Sequence, residues 1–141
     1  MQRSAMRELA FKFIYGIEIQ KNEYDIEQVE IFLESNNIVD EKVKEYLEDI
    51  QNGLKDNNSE INELIENNLK GNWSLNRISK INLSLIKIAI YEMLYKNIPY
   101  KVAINEVVEL AKKYSDESAP VFINGILASI VKDKNLDKKD E

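Results

Sequence analysis

The chain has 141 residues, 19 Lys+Arg against 25 Asp+Glu for a net charge of −6, and neither histidine nor cysteine. One domain with a core of its own fits that length, and the missing residue types exclude disulfides, thiolate nucleophiles, thiolate zinc sites, a Ser-His-Asp triad and a two-His metal face. The acid excess also argues, at first sight, against a nucleic-acid binder, for which a basic patch is expected.

Four Gly, two Pro and no Thr, beside many Glu, Lys, Leu, Ile and Asn, predict an all-α protein, since hairpins need turn residues and strands favour Thr. No apolar run approaches the ~18 residues of a membrane span. Charges at Arg3, Arg7 and Glu8 are wrong for a signal peptide, so a cytoplasmic address is expected.

A first helix is predicted over about Arg3 to Gln20, because Met6, Leu9, Ala10, Phe13, Ile14 and Ile17 recur at helical spacing. Asp25, with Gln28 three residues on, suits the cap of a second helix, and Asp40 that of a third carrying Val43, Leu47, Ile50 and Leu54. Ser59 is the expected cap of a fourth, which ends at Gly71 in a left-handed C′ position. Between Ile78 and Tyr95 apolar residues point in nearly every direction, as in a helix buried on most sides and placed at the centre of the fold.

Pro99 is suited to opening a sixth helix, about Tyr100 to Tyr114, with Val102 or Ala103, Ile104, Val107, Val108 and Ala111 turned inward. Ser115–Ser118 reads as a turn and cap. A seventh helix, about Ala119 to Lys132, buries Phe122, Ile123, Ile126, Leu127 and Ile130. Gly125 inside it costs about 1 kcal/mol relative to Ala, which close backbone packing would justify. The result is a seven-helix bundle of two helical subdomains, about 1–70 and 73–133, with the seam at Gly71-Asn72-Trp73-Ser74 and a frayed charged tail over 134–141.

Charge is unevenly spread. Residues 18–67 carry 15 acids against four bases, a net of −11; residues 70–114 carry eight bases against three acids, a net of +5. Arg3, Arg7 and Lys12 against Glu8 leave the first 17 residues at +2. A basic face therefore remains open to the first helix and the second half of the chain. Phe11 and Tyr15 stand opposite the apolar stripe of the first helix, on the side of Arg7. They are either packed on other helices or exposed for stacking on bases or anchoring a protein partner.

The four glycines stand alone, so no phosphate-binding Gly loop exists, and paired acids such as Glu45/Asp49 belong to solvated faces. Asn105-Glu106, in an otherwise apolar helix, is either a buried hydrogen-bonded connector or part of a surface contact. Catalytic residues, metal ligands and cofactors are all expected to be absent, which leaves a binding module as the default class.

Four segments in order resemble the NusB family of bacterial antitermination factors. Pro99-Tyr100-Lys101-Val102-Ala103-Ile104-Asn105-Glu106 running on to Tyr114 is the most specific; Phe122-Ile123-Asn124-Gly125-Ile126-Leu127 is similar to the family's last helix. Ile88 to Leu94 resembles its central helix, and Arg7-Glu8-Leu9-Ala10 through Ile14-Tyr15 its first. The resemblance spans the whole chain and implies a scaffold without enzymatic activity that binds boxA-type single-stranded RNA together with NusE, a ribosomal small-subunit protein that also serves transcription. The pair joins an elongation complex on ribosomal RNA operons and suppresses premature termination, each ligand raising the affinity of the other. Some members form homodimers that cover the RNA surface.

By position, the resemblance places RNA contacts at Arg3, Arg7, Lys101 and Phe122, with Phe122 open between core and base stacking. It places partner contacts at Tyr15 and at Asn82, where the family usually has an acid. Ser4 and Ala5 stand where further arginines are common, which lowers the number of phosphate contacts and flattens the salt dependence. Two other readings stay open. One is a protein-interaction adaptor with little direct RNA binding, motivated by the sparse arginines and the net charge of −6. The other is a domain of the kind that precedes an rRNA methyltransferase, disfavoured because no segment to bind S-adenosylmethionine follows.

Overall fold

The computed structural model describes residues 2–21, 23–71 and 74–139, without the side chains of 26 and 139. The helices are α1 (Arg3–Gln20), α2 (Ile26–Ser35), α3 (Glu41–Asp56), α4 (Asn58–Asn67), α5 (Lys80–Tyr95), α6 (Tyr100–Tyr114), α7 (Ala119–Asp133) and α8 (Leu136–Lys139), with a 3-10 turn at Leu75–Arg77. Among the described residues there is no strand, and the chain is all-α. The eighth helix corrects the expectation of a frayed tail: α8 packs on α7 and buries Leu136, which is enough to tie the segment down. By its contacts the chain divides into two units, Met1–Asn57 and Asn58–Glu141.

The first unit packs α1, α2 and α3 on one another. Ala10, Phe13, Ile14 and Ile17 meet a core that includes Val29, Leu33, Val43, Leu47 and Ile50, all buried. Phe13 and Phe32 lie with ring centroids 5.4 Å apart and tilted by 60°, the edge-to-face arrangement that aromatic quadrupoles favour. Asp25 Oδ1 accepts the Glu27 N–H at 2.7 Å and Asp40 Oδ1 accepts the Lys42 N–H at 2.9 Å, so both predicted caps form, each worth about 1 kcal/mol. Ahead of α2 the Tyr24 hydroxyl donates to Glu18 Oε1 of α1 at 2.6 Å. On the outside, Lys44 Nζ pairs with Glu30 at 2.8 Å.

Only Asn57, whose Nδ2 donates to the Gly53 carbonyl at 2.9 Å, separates α3 from α4. Because α4 already begins at Asn58, Ser59 lies inside its first turn and is not the cap. α4, which the sequence groups with the first three helices, packs on α7 and on the 3-10 turn within the second unit. Asn68 ties that contact: its Oδ1 accepts from Ser129 Oγ at 2.6 Å while its Nδ2 donates to Asp133 Oδ2 at 3.2 Å. Gly71 is left-handed, with φ +67°, as its position after α4 requires. Asn72 and Trp73 of the proposed seam lie outside the described residues.

α5 is the centre of the second unit. Every residue from Asn82 to Met93 is buried, and α6 and α7 pack on it and on each other. Ser79 caps α5 through the Asn82 N–H at 3.2 Å, and Pro99 precedes α6 as its N-cap residue. α6 buries Ala103, Ile104, Val107 and Ala111; with Val102 45 % exposed the alternative between Val102 and Ala103 falls to Ala103, and only Val108, half-buried, leaves the predicted core. α7 buries Ile123, Ile126, Leu127 and Ile130 but leaves Phe122 only half-buried. Gly125 is exposed and a Cβ there would meet nothing within 4 Å, so close packing inside this chain does not explain it.

Candidate functional site

Arg3, Arg7, Phe11 and Tyr15 recur every four residues and so lie along one side of α1. Their environments differ. Arg3 is exposed in the first turn, Arg7 is only 1 % exposed, Phe11 is 2 % exposed, and Tyr15 is half-buried. Phe11 and Tyr15 stack with centroids 5.9 Å apart and an interplanar angle of 21°. Phe11 therefore takes the core alternative, and Tyr15, held by that ring, presents part of its surface. An incoming phosphate can reach Arg3 but not the guanidinium of Arg7 while α1 keeps this environment. Direct RNA contact by Arg7 is thus at odds with its burial, because an apolar stripe on one side of a helix does not reveal that the other side is covered as well.

In the second unit Asn82 is 9 % exposed and its Oδ1 accepts from Ser115 Oγ at 2.8 Å. It joins the start of α5 to the end of α6, and its carboxamide is not offered to solvent. The loop after Ser115 is an Asx turn: Asp116 Oδ1 accepts both the Ser118 N–H at 3.0 Å and the Ser118 hydroxyl at 2.7 Å. Of the eight bases counted between 70 and 114, Lys87 is buried, and the other seven are exposed. Glu92, one of the three acids, is buried as well, so the surface keeps the net of +5, seven bases against Glu106 and Glu109.

Lys101 and Phe122, both expected to contact RNA, line different grooves. Lys101, exposed at the first turn of α6, stands with Nζ 5.9 Å from the centroid of the neighbouring Tyr100 ring, beside a groove of about 430 Å³ walled by α6 and α7. Phe122 lines a second groove of about 350 Å³ on the α4 side of α7, with Lys70, Val121, Gly125 and Ser129. The separation follows from the helical period: 122, 125, 126 and 129 face one way, and 124, 128 and 131 another. Lys70 beside Phe122 and Asn124 near Lys101 were missed as candidates, although that same spacing on α7 is the signal that finds Asn124. Asn105 is exposed in the first groove, so the surface alternative holds for it and the buried connector does not.

Among the described residues no group of three or more acids is placed to hold a metal ion, and no helix is long and apolar enough to cross a membrane.

The sequence model of the NusB family matches residues 4–132. Transcription antitermination protein NusB of Acetivibrio thermocellus is 48 % identical over 135 residues, 95 % of this chain and 91 % of that one. Its counterpart in Ruminiclostridium cellulolyticum is 44 % identical over 133 residues, 94 % and 90 % of the two chains. Among solved structures, T. maritima NusB superposes with a TM-score of 0.82 at 35 % identity over 98 % of both chains. The NusB-type chain in a crystal structure of antitermination factors NusB and NusE in complex with dsRNA gives a TM-score of 0.81 at 25 % identity, covering 93 % of this chain and 96 % of that one. With the family model matched over nearly its whole length and the fold shared with solved members, this chain belongs to the NusB family.

Proposed function

We propose that this chain is a transcription antitermination factor that binds boxA-type RNA together with NusE and joins the elongation complex on ribosomal RNA operons, in the cytoplasm. The observation that carries this reading is the match of the family model over residues 4–132, to relatives that bear the name transcription antitermination protein. The role is that of a scaffold; the chain has neither histidine nor cysteine, and catalysis forms no part of the reading.

Within it we assign Arg3, Lys101 and Phe122 to RNA and the exposed part of Tyr15 to the protein partner. Arg7 and Asn82 act from behind the surface, Arg7 by supporting α1 and Asn82 by holding the end of α6 through Ser115. A covered Arg7 leaves Arg3 as the arginine of α1 open to a phosphate. One or two phosphate contacts give a slope of only about −1 in log K against log salt on a single strand, so RNA alone binds weakly and the partner must add to the affinity.

The same burial favours the second reading, an adaptor with negligible RNA contact. Fluorescence anisotropy with a boxA-type single strand and its duplex, at two salt concentrations and with or without NusE, separates them. Binding that NusE strengthens and that Lys101→Glu weakens supports RNA recognition. No binding with or without NusE supports the adaptor.

A further inference from the structure

Lys101 stands at the mouth of a groove whose remaining walls an RNA contact does not explain. The floor is aliphatic, built from Ile104 and Val108 of α6 and Ala128 and Val131 of α7. Asn105 from α6 and Asn124 from α7 both line it, both are exposed, and among the described residues neither carboxamide is held by another side chain. Lys101 and Lys132 supply two positive charges to the lining, against one carboxylate, Asp137 of α8. The volume of this open groove, about 430 Å³, is within the range of small-molecule and peptide clefts.

Each element selects an occupant. An aliphatic floor takes a branched or aromatic side chain out of water, at roughly 25 cal/mol per Å² of apolar surface. A carboxamide offers a donor and an acceptor together, so two of them on facing helices match the alternating N–H and C=O groups of an extended peptide backbone. The lysine excess prefers carboxylates on either side of the anchoring residue. A nucleobase is served less well, because recognition of unpaired bases relies on aromatic faces. The one ring in the groove, Tyr100, already lies beside the Lys101 ammonium.

We infer that the groove between α6, α7 and α8 docks an extended segment of a partner protein in which an apolar side chain is flanked by Asp or Glu. The antitermination reading does not depend on this contact, and the contact does not depend on RNA.

The test is amide chemical-shift mapping on the full chain with three probes. These are the blocked peptide Glu-Asp-Leu-Phe-Asp-Glu, its analogue with every acid replaced by Lys, and hexauridylate. The acidic peptide is expected to move amides of residues 104–108 and 124–132, the Lys analogue and hexauridylate to leave these in place. Ala128→Arg, which fills the floor from an exposed position, and Asn105→Ala combined with Asn124→Ala should each weaken the acidic peptide by about tenfold or more, with the helical CD unchanged. Lys132→Glu provides a further variant, on the exposed rim, should either of these lose helix. The proposal falls if the peptide moves no groove amide at millimolar concentration, if folded variants bind it as the parent does, or if hexauridylate takes the groove in its place.

Discussion

The unit Met1–Asn57 carries 13 acids against 7 bases, a net of −6, whereas Asn58–Glu141 carries 12 of each and is neutral. Their central helices differ in the same sense. α3 buries Val43, Leu47, Ile50, Gln51 and Leu54 along one side and turns Glu41, Glu45 and Asp49 to water. α5 is buried over twelve consecutive residues, Ser84, Lys87 and Glu92 included. A helix with one buried side can carry any number of charges on the other, so acidity accumulates where burial is one-sided. A helix buried all round must satisfy each polar group it takes inside, as Ser84 does by donating to the Lys80 carbonyl at 2.7 Å. The whole acid excess of the chain therefore sits in the first unit, and the second is neutral on its own.

The largest expected effect falls on the exception in the first unit. Arg7→Glu replaces a covered cation with an anion in the same place and should cost about 3–5 kcal/mol, seen as a collapse of the urea midpoint or loss of helical CD. Arg3→Glu, one turn earlier and exposed, should leave stability within about 0.5 kcal/mol. An Arg7→Glu protein that folds normally and loses only RNA binding would overturn the distinction drawn along α1.

Next come the cores. Leu85→Ala and Ile86→Ala are adjacent on α5 and point in different directions, and each should cost about 2–5 kcal/mol. On α3 only the buried side responds: Leu47→Ala costs a similar amount and Glu45→Ala about nothing. A tolerant direction on α5 would break the contrast between the two helices.

A smaller effect tests the link between α1 and α2. Burial, with the nearby Glu18 carboxylate and the hydrogen bond to it, holds the Tyr24 hydroxyl well above the usual tyrosine range. The folded state then keeps a proton that the unfolded chain releases near pH 10, so this contribution is complete below about pH 10 and is lost as pH rises further. Tyr24→Phe should cost about 1 kcal/mol at neutral pH and flatten the alkaline fall in stability, measured as urea midpoints at pH 7 and pH 10.5.

The smallest change is a gain. Gly125→Ala, with open space around the new methyl group, should stabilise α7 by about 0.5–1 kcal/mol. A loss would mean that the Phe122 groove demands a bare backbone even in the isolated chain.

Much of this was legible in the residues. The apolar stripe of α1, the caps Asp25 and Asp40, the left-handed Gly71 and the all-round apolar content of α5 are local properties, and local physics alone decides them. Ser59 failed because two helices meet across a single residue, a junction that cap residues do not announce. Lys101 and Phe122 both read as RNA contacts in the sequence, and only the packing of α7 between two neighbours sends them to different grooves. The covered side of Arg7 and Phe11, the inward turn of Asn82 and the outward turn of Asn105 are equally set by what packs against each helix.

The sequence by itself determined an all-α chain, its helix boundaries within a few residues, its central helix and its family, because periodicity, caps and ordered motifs are written along the chain. The tertiary structure alone decided which polar groups are available to a ligand. Availability depends on neighbours distant in sequence, and one covering helix turns a candidate contact into a supporting residue.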